Sequence, residues 1–348
     1  MGVSHVCGTV PEAWDAAVRA SGDTWLFHIS RWLEITADVF SLANHYFIIE
    51  EAGRIVAGMP LQVTRGGRRP TAWPRGYSIY MGSGGPFTTS HLSGDRRAEA
   101  LEAVSRAVID WARRARIGRL DCFLPPLAPN NMNNADGDNP LARLGWNDCS
   151  TQTVIKDLSG PDGQLASLRP DSRRRIRRAE ERGYTVAREP WPEMLDAYYE
   201  THVETYRRTG ATPHPKCYFE GIARDMAALG GAVLWVCRTA AGEPVAFHNS
   251  ARFGNGSVYW TGCSRTEHAE AGVNYLLFWH AIAGAREDGC RYYEVGEVFP
   301  DTAEKKLQGL TNFKTKFGGA RYPIFRGEYA FSPRGIWLPW LLRAGRLN

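Results

Sequence analysis

Two stretches of the chain repeat one order of hydrophobic and polar positions. In the first, Tyr46-Phe-Ile-Ile-Glu-Glu-Ala-Gly-Arg-Ile-Val-Ala-Gly-Met-Pro-Leu61 holds two β-rich runs around Ala52-Gly53, which predicts a hairpin. A strand over 77–81 and the loop Gly82-Ser-Gly-Gly-Pro86 follow. Residues 95–116 then set Leu101, Val104, Val108 and Trp111 on one helical stripe, and Arg119-Leu-Asp-Cys-Phe-Leu124 reads as a buried strand. In the second stretch, residues 232–247 predict a hairpin turning at Ala241-Gly242, and 257–262 a strand ending in glycine. A helix over 272–287 and a buried strand over 291–298 complete the set. Sequence identity between the halves is slight. Four elements in matching order still predict two α/β units of one topology, mixed sheets flanked by helices, over 1–160 and 161–348.

The remaining segments fit around these units. Residues 25–40 are helical in their second half, with Ser30 as N-cap, and the Pro-, Asn- and Asp-rich 125–139 are loop. Between the units, Leu168-Arg-Pro-Asp-Ser-Arg-Arg-Arg-Ile-Arg-Arg-Ala-Glu-Glu-Arg-Gly183 predicts a helix capped by Asp171 or Ser172 and ended by Gly183. Only Ile176 and Ala179 form its apolar face. Arg173 with Arg177, and Arg174 with Arg178, are like charges four apart, which repel unless an anion neutralises them. That points to a phosphate-bearing surface, RNA or a nucleotide. A solvated helix balanced by Glu180 and Glu181 has the same pattern. Two more helices, over 192–208 and 215–229, are joined by a loop stiffened by Pro213 and Pro215.

Late in the chain stands Gly309-Leu-Thr-Asn-Phe-Lys-Thr-Lys-Phe-Gly318. Phe313 and Phe317 are four apart and share a helical face, so Lys314 is held beside an apolar wall with Lys316 two residues on. A cation fixed in a partly dry setting suits developing negative charge. An amphipathic helix with solvated lysines has the same spacing.

Composition narrows the picture. Charged residues at 23% and hydrophobic ones at 43% are ordinary globular values, and the net charge of +5 permits a polyanionic partner without requiring one. The seven cysteines are scattered, with no CxxC or Cys/His cluster, so no metal site is expected and the thiols are expected reduced. No signal peptide or membrane-length apolar run is legible, which predicts a cytoplasmic chain without stable membrane insertion. The tail over 335–342 has the make-up to dock on the core or touch a membrane surface. No Ser/His/Asp or Cys/His nucleophile set stands out among the nine histidines.

Taken together, the Arg-rich helix, the loop Arg208-Thr-Gly-Ala-Thr-Pro-His-Pro215 with Tyr218-Phe219, the strand 292–297 and the Phe313-Lys314…Phe317 element resemble the Fem family. These are aminoacyl-tRNA-dependent transferases that extend peptidoglycan bridge peptides, and the likeness in layout runs from about residue 25 to 326. The resemblance implies a pair of acetyltransferase-like (GNAT) domains, in agreement with the internal repeat. It implies attack by an acceptor amine on the ester linking an amino acid to its tRNA. Lys314 would stabilise the oxyanion and Phe313 would pack near the terminal nucleotide. Arg173, Arg174, Arg177, Arg178 and Lys316 would meet tRNA phosphates. The ester is already activated, so no cofactor is implied; the partners are aminoacyl-tRNA and an amine-bearing acceptor, and a monomer is expected.

Departures from the family pattern bear on the acceptor. Positions where the cell-wall enzymes carry basic ligands for a nucleotide diphosphate read Thr36 and His214 here, an expected tyrosine reads Trp260, and an expected Gly-Gly reads Gly296-Glu297. With Tyr218, these residues would form the acceptor side, and Glu297 is a candidate proton acceptor. The pattern favours a peptide or small natural product over a peptidoglycan precursor. A conventional acyl-CoA N-acyltransferase is the alternative, and a catalytically silent RNA-binding fold a third. Against CoA, Thr266-Glu-His-Ala-Glu-Ala-Gly-Val-Asn274 offers one glycine and two acids where a pyrophosphate loop is needed.

Overall fold

The computed structural model describes residues 1–64, 74–161 and 164–331. Most of the basic loop at 65–75 and the whole apolar tail at 335–342 lie outside the described residues. The chain divides into two compact units. One comprises 1–151 and, among the described residues, 323–331; the other comprises 152–322.

In chain order the first unit contains β1 (Ser4–Cys7), α1 (Trp14–Arg19), α2 (Ser30–Phe40), β2 (Leu42–Glu51), β3 (Arg54–Thr64), β4 (Arg75–Tyr77), β5 (Phe87–Thr88) and α3 (Gly94–Arg114). It continues with β6 (Arg119–Phe123), α4 (Pro129–Met132), α5 (Pro140–Arg143) and β7 (Asn147–Asp148). The second unit contains β8 (Thr151–Asp157), α6 (Pro170–Glu181), β9 (Thr185–Arg188), α7 (Trp191–Thr209), α8 (Lys216–Gly221), β10 (Ala232–Arg238) and β11 (Pro244–Phe253). After these come β12 (Gly256–Ser264), α9 (Val273–Glu287), β13 (Tyr292–Val298), α10 (Lys305–Thr315) and β14 (Ala320–Ile324), and β15 (Arg326–Ala330) returns to the first sheet.

The two sheets repeat each other strand for strand. The first runs β1-β2-β3-β4-β6-β15-β7 with β5 on β3, and the second runs β14-β8-β13-β12-β11-β10-β9. In each, an antiparallel hairpin (β2–β3, β10–β11) is followed by an antiparallel strand (β4, β12). That strand pairs in parallel with the one beyond the long helix: β4 with β6 across α3, β12 with β13 across α9. A long helical crossover is what a parallel pair requires. Each parallel pair is closed by an antiparallel strand that the periodicity reading missed, β15 on β6 and β8 on β13. The reading also draws a boundary at 160, whereas β8 already belongs to the second sheet and β15 to the first.

Two elements are shorter than the sequence implies. The strand expected over 77–81 stops at Tyr77, because the Ser78 hydroxyl donates to the Pro60 carbonyl and accepts from Gly85 N–H, folding the chain back. The helix expected over 215–229 ends at Gly221 and gives way to a wider π-type turn over Ile222–Met226.

Helix α6 is held by its narrow apolar face. Ile176 and Ala179 are fully buried in a cluster with Leu276, Leu277, Tyr293 and Phe317 from α9, β13 and the end of α10. The close approach of α6 to α9 depends on Gly272, which has φ +94°, and whose Cβ, were one present, would stand 2.7 Å from the Arg175 carbonyl oxygen. Both the left-handed backbone and the contact exclude a side chain. Gly272→Ala is therefore expected to destabilise the protein by about 2–3 kcal/mol, measured as a lower urea midpoint at unchanged slope.

Candidate active site

The parallel ladder between β12 and β13 is brief, running from Gly256/Tyr292 to Val258/Glu294. Beyond it β12 continues to Ser264 and β13 to Val298, so the two strands part. On the far side of β13, its pairing with β8 slips by one residue between Glu294 and Gly296, a bulge that bends the strand at this point. Gly296 sits there with φ +99°.

Helix α10 packs on β13 and delivers Lys314 to the parting. The ammonium donates to the Glu297 backbone carbonyl at 2.9 Å, past the end of the β12 ladder. A Cβ on Gly296 would lie 2.9 Å from Lys314 Nζ and 4.0 Å from the Tyr259 ring, so the missing side chain leaves room between cation and phenol. Lys314 is only 7% exposed. Burial pushes its pKa down to about 8, against the pull of Glu297 and, less strongly, Glu294. It remains mainly an ammonium at neutral pH, in a setting where its field is weakly screened.

An aromatic wall holds α10 in place. Phe317 is fully buried, and its ring lies 4.7 Å from Phe278 and 5.2 Å from Phe313. Phe313 also meets Phe278 at 5.2 Å and Tyr275 at 5.0 Å. Lys314 thus stands beside a packed aromatic face, as the four-residue spacing of the phenylalanines implies.

The residues read as phosphate ligands divide into two groups. Arg174, Arg177 and Arg178 stand exposed along α6. Arg173 and Lys316, also expected to meet phosphates, are engaged within the protein. Arg173 donates to the carbonyls of Ala166 and Leu168 and so holds the loop before its own helix. Lys316 forms a 2.7 Å ion pair with Asp171, while its carbonyl accepts from Arg169 N–H. These contacts fasten the start of α6 to the end of α10.

The four residues expected to face the acceptor also divide. Thr36 is wholly buried within the first unit, and its hydroxyl bonds the Trp32 and Leu33 carbonyls and Gln62. It presents nothing to a ligand, which corrects the sequence assignment. His214, Tyr218 and Trp260 do come together. Tyr218 is hydrogen-bonded to Trp260 and stacks on His214 at 4.9 Å. The His214 N–H donates to His202 Nε2, and burial lowers the pKa of both imidazoles, His202 to about 3. This wall is aromatic and uncharged at neutral pH. Its Trp260 is the extra residue of a bulge between β11 and β12.

Sequence reasoning missed Tyr259, Glu294 and Thr153. Tyr259 packs against His248 at 4.8 Å and Phe278 at 4.7 Å, and Thr153 donates to Glu294 Oε1 at 2.8 Å. The β-branched run Thr151-Gln-Thr-Val-Ile155 is the one local sign that a strand would bring Thr153 here.

Known proteins carry the same architecture. Residues 166–314 match the acetyltransferase (GNAT) domain family. The crystal structure of FemX superposes with a TM-score of 0.71 at 18% identity, over 98% of this chain and 100% of that one. The fold is a Fem-like tandem GNAT. A tandem GNAT protein from the clavulanic acid biosynthesis pathway aligns with a TM-score of 0.55 at 14% identity, covering 95% of this chain and 99% of its own. The C-terminal domain of a putative lysylphosphatidylglycerol synthetase from Agrobacterium fabrum reaches 0.56 at 15% identity, covering 88% and 89%. No curated protein sequence matches significantly. Among the described residues, no helix of this tandem GNAT chain is long and apolar enough to cross a membrane.

Lys314 also sets a stability term with a definite sign. In the native state its proton leaves near pH 8, whereas in the unfolded chain it stays until the ordinary value of 10.5. Below 8 the burial penalty is in full force; as pH rises from 8 to 10.5 the unfolded state holds more protons, and stability from this group increases. Lys314→Met should therefore stabilise the fold at pH 7 by about 1–3 kcal/mol. Denaturant unfolding should show that advantage shrinking as pH rises from 8 and vanishing only above the unfolded value of 10.5, where the wild-type amine is neutral in both states.

Proposed function

We propose that this chain is an aminoacyl-tRNA-dependent aminoacyltransferase, joining a tRNA-activated amino acid to the amine of a peptide or small-molecule acceptor. The observation that carries this reading is the buried Lys314 ammonium at the parting of β12 and β13. The acceptor amine attacks the ester carbonyl, the carbonyl oxygen becomes an oxyanion, and Lys314 stabilises it. Collapse breaks the bond to the ribose oxygen and releases tRNA. Phe313 packs near the terminal nucleotide, Arg174, Arg177 and Arg178 meet phosphates, and Glu297 receives a proton from the amine. The resemblance to the Fem family and the likeness in fold to FemX support this assignment of roles.

The uncharged wall of His214, Tyr218 and Trp260 favours an acceptor without a diphosphate, a natural-product peptide or small amine rather than a nucleotide-linked peptidoglycan precursor. A second reading, acyl-CoA-dependent N-acylation, draws on the GNAT domain match at 166–314. Against it, the start of α9 is packed on α6 at Arg175, and Glu267 and Glu270 stand just before it, exposed and repulsive to pyrophosphate.

The test supplies purified protein with tRNAs charged with radiolabelled amino acids and a panel of muropeptides, small peptides and amines. Label is expected in base-stable amide, with Lys314→Ala reducing the rate at least about 100-fold while tRNA binding persists. Transfer from acyl-CoA and from no charged tRNA would promote the second reading instead. Replacing Arg174, Arg177 and Arg178 together with alanine should weaken tRNA binding and flatten its dependence on log salt by about 2–3 units. An unchanged slope would remove α6 from the RNA surface.

A further inference from the structure

One arginine of α6 meets a different surface from the rest. Arg175 lies four residues before the buried Ala179 and so borders the apolar stripe, whereas Arg174, Arg177 and Arg178 stand on the outer side of the helix. Its guanidinium lies over the Tyr275 ring of α9, 5.3 Å from the centroid. Among the described residues no carboxylate or carbonyl accepts a hydrogen bond from it, so its donors are open to a ligand. Those of Arg173 and Lys316, by contrast, are committed to carbonyls and to Asp171. Tyr275 is half-buried, its ring meets Phe313 edge-on at 5.0 Å, and the Lys316 ammonium lies 5.8 Å from its centroid. Arg175, Tyr275 and Phe313 thus form an unbroken row that ends beside Lys314. Packing does not require the Arg175–Tyr275 contact: α6 is already seated on α9 through Ile176 and Ala179, and its start is braced by Asp171.

We propose that Arg175 and Tyr275 form a stacking platform for the unpaired 3′ tail of tRNA. The inference rests on the reading of the chain as aminoacyl-tRNA-dependent, and it adds the site that takes the single strand. The ester to be attacked hangs on the last nucleotide of that tail. With that nucleotide at Phe313, the bases before it run back along the row toward α6. An unpaired base exposes its flat face, which a duplex hides, and a ring backed by a cation is the surface that holds it. The guanidinium plane extends the stack, while its N–H groups reach the adjoining phosphate. The exposed arginines of α6 supply charge for the backbone but no flat surface, so discrimination of a single strand falls to Tyr275 and Arg175.

The test uses the full chain and an uncharged RNA hairpin that either carries an unpaired CCA tail or ends blunt. Wild type is expected to bind the tailed hairpin about tenfold or more tightly than the blunt one. Tyr275→Ala should bring the two affinities within about threefold of each other while the blunt hairpin binds as before. Tyr275→Phe keeps the ring and should keep the preference. A merely structural tyrosine would lower both affinities together or neither. Either result would overturn the proposal, as would a wild type indifferent to the tail. Should Tyr275→Ala not fold, a photoreactive thiouridine in place of a tail cytidine decides on the wild-type protein. Crosslinking to Tyr275 or Arg175, read by mass spectrometry, upholds the platform, and crosslinks to other residues alone reject it. Neither readout needs a charged tRNA. A tail preference lost in Tyr275→Ala, in a protein that transfers nothing, leaves the platform standing while the proposed reaction falls. Transfer from charged tRNA, with Tyr275→Ala binding tailed RNA as wild type does, has the reverse meaning.

Discussion

A single hydrogen bond, from the Lys314 ammonium to the Glu297 carbonyl, is what the second unit is arranged around. An amine that dry is destabilising by itself, and the surrounding features make its position tenable. The strands β12 and β13 part, leaving a backbone carbonyl beyond the ladder to receive it. Gly296 leaves room beside it, and the charges of Glu297 and, less strongly, Glu294 offset part of its desolvation. Phe313, Phe317, Phe278 and Tyr275 fix the helix that carries it. On the proposed reading, stability and chemistry oppose each other here, because a charge is kept away from water in order to act.

The basic helix is tied to this arrangement mechanically. Its narrow apolar face sits on α9, while Asp171 and the Arg169 N–H bind Lys316, two residues beyond the buried lysine. The arginines that remain exposed, Arg174, Arg177 and Arg178, therefore belong to an element whose N-terminus is braced against the end of α10. On the proposed reading, the surface that receives phosphates and the residue that meets the carbonyl are parts of one packed body.

Much of this was legible in the chain. The repeated order of hairpin, strand, helix and strand emerged from periodicity because each element buries one face and so writes its own period into the sequence. Phe313 and Phe317 signalled a fixed Lys314 because side chains four apart on a helix share a face. Other residues have engagements that no local pattern announces, for an equally physical reason. Lys316 and Arg173 belong by type to a basic surface, but an ion pair across 145 positions of sequence, Asp171 to Lys316, leaves no local trace. Thr36 was expected on the acceptor side, yet its hydroxyl is buried among backbone carbonyls and Gln62.

The sequence by itself determined the two α/β units, the basic helix and the lysine between phenylalanines, since all of these rest on patterns within a turn or a strand. Only the tertiary structure decided which strands flank β13, because β8 lies far from it in sequence and pairs by register rather than by any motif. That register, with its one-residue slip, put Glu294 and Glu297 on one face, with Thr153 opposite Glu297 and bonded to Glu294. A bulge is a property of two strands together, so neither strand's sequence could announce it.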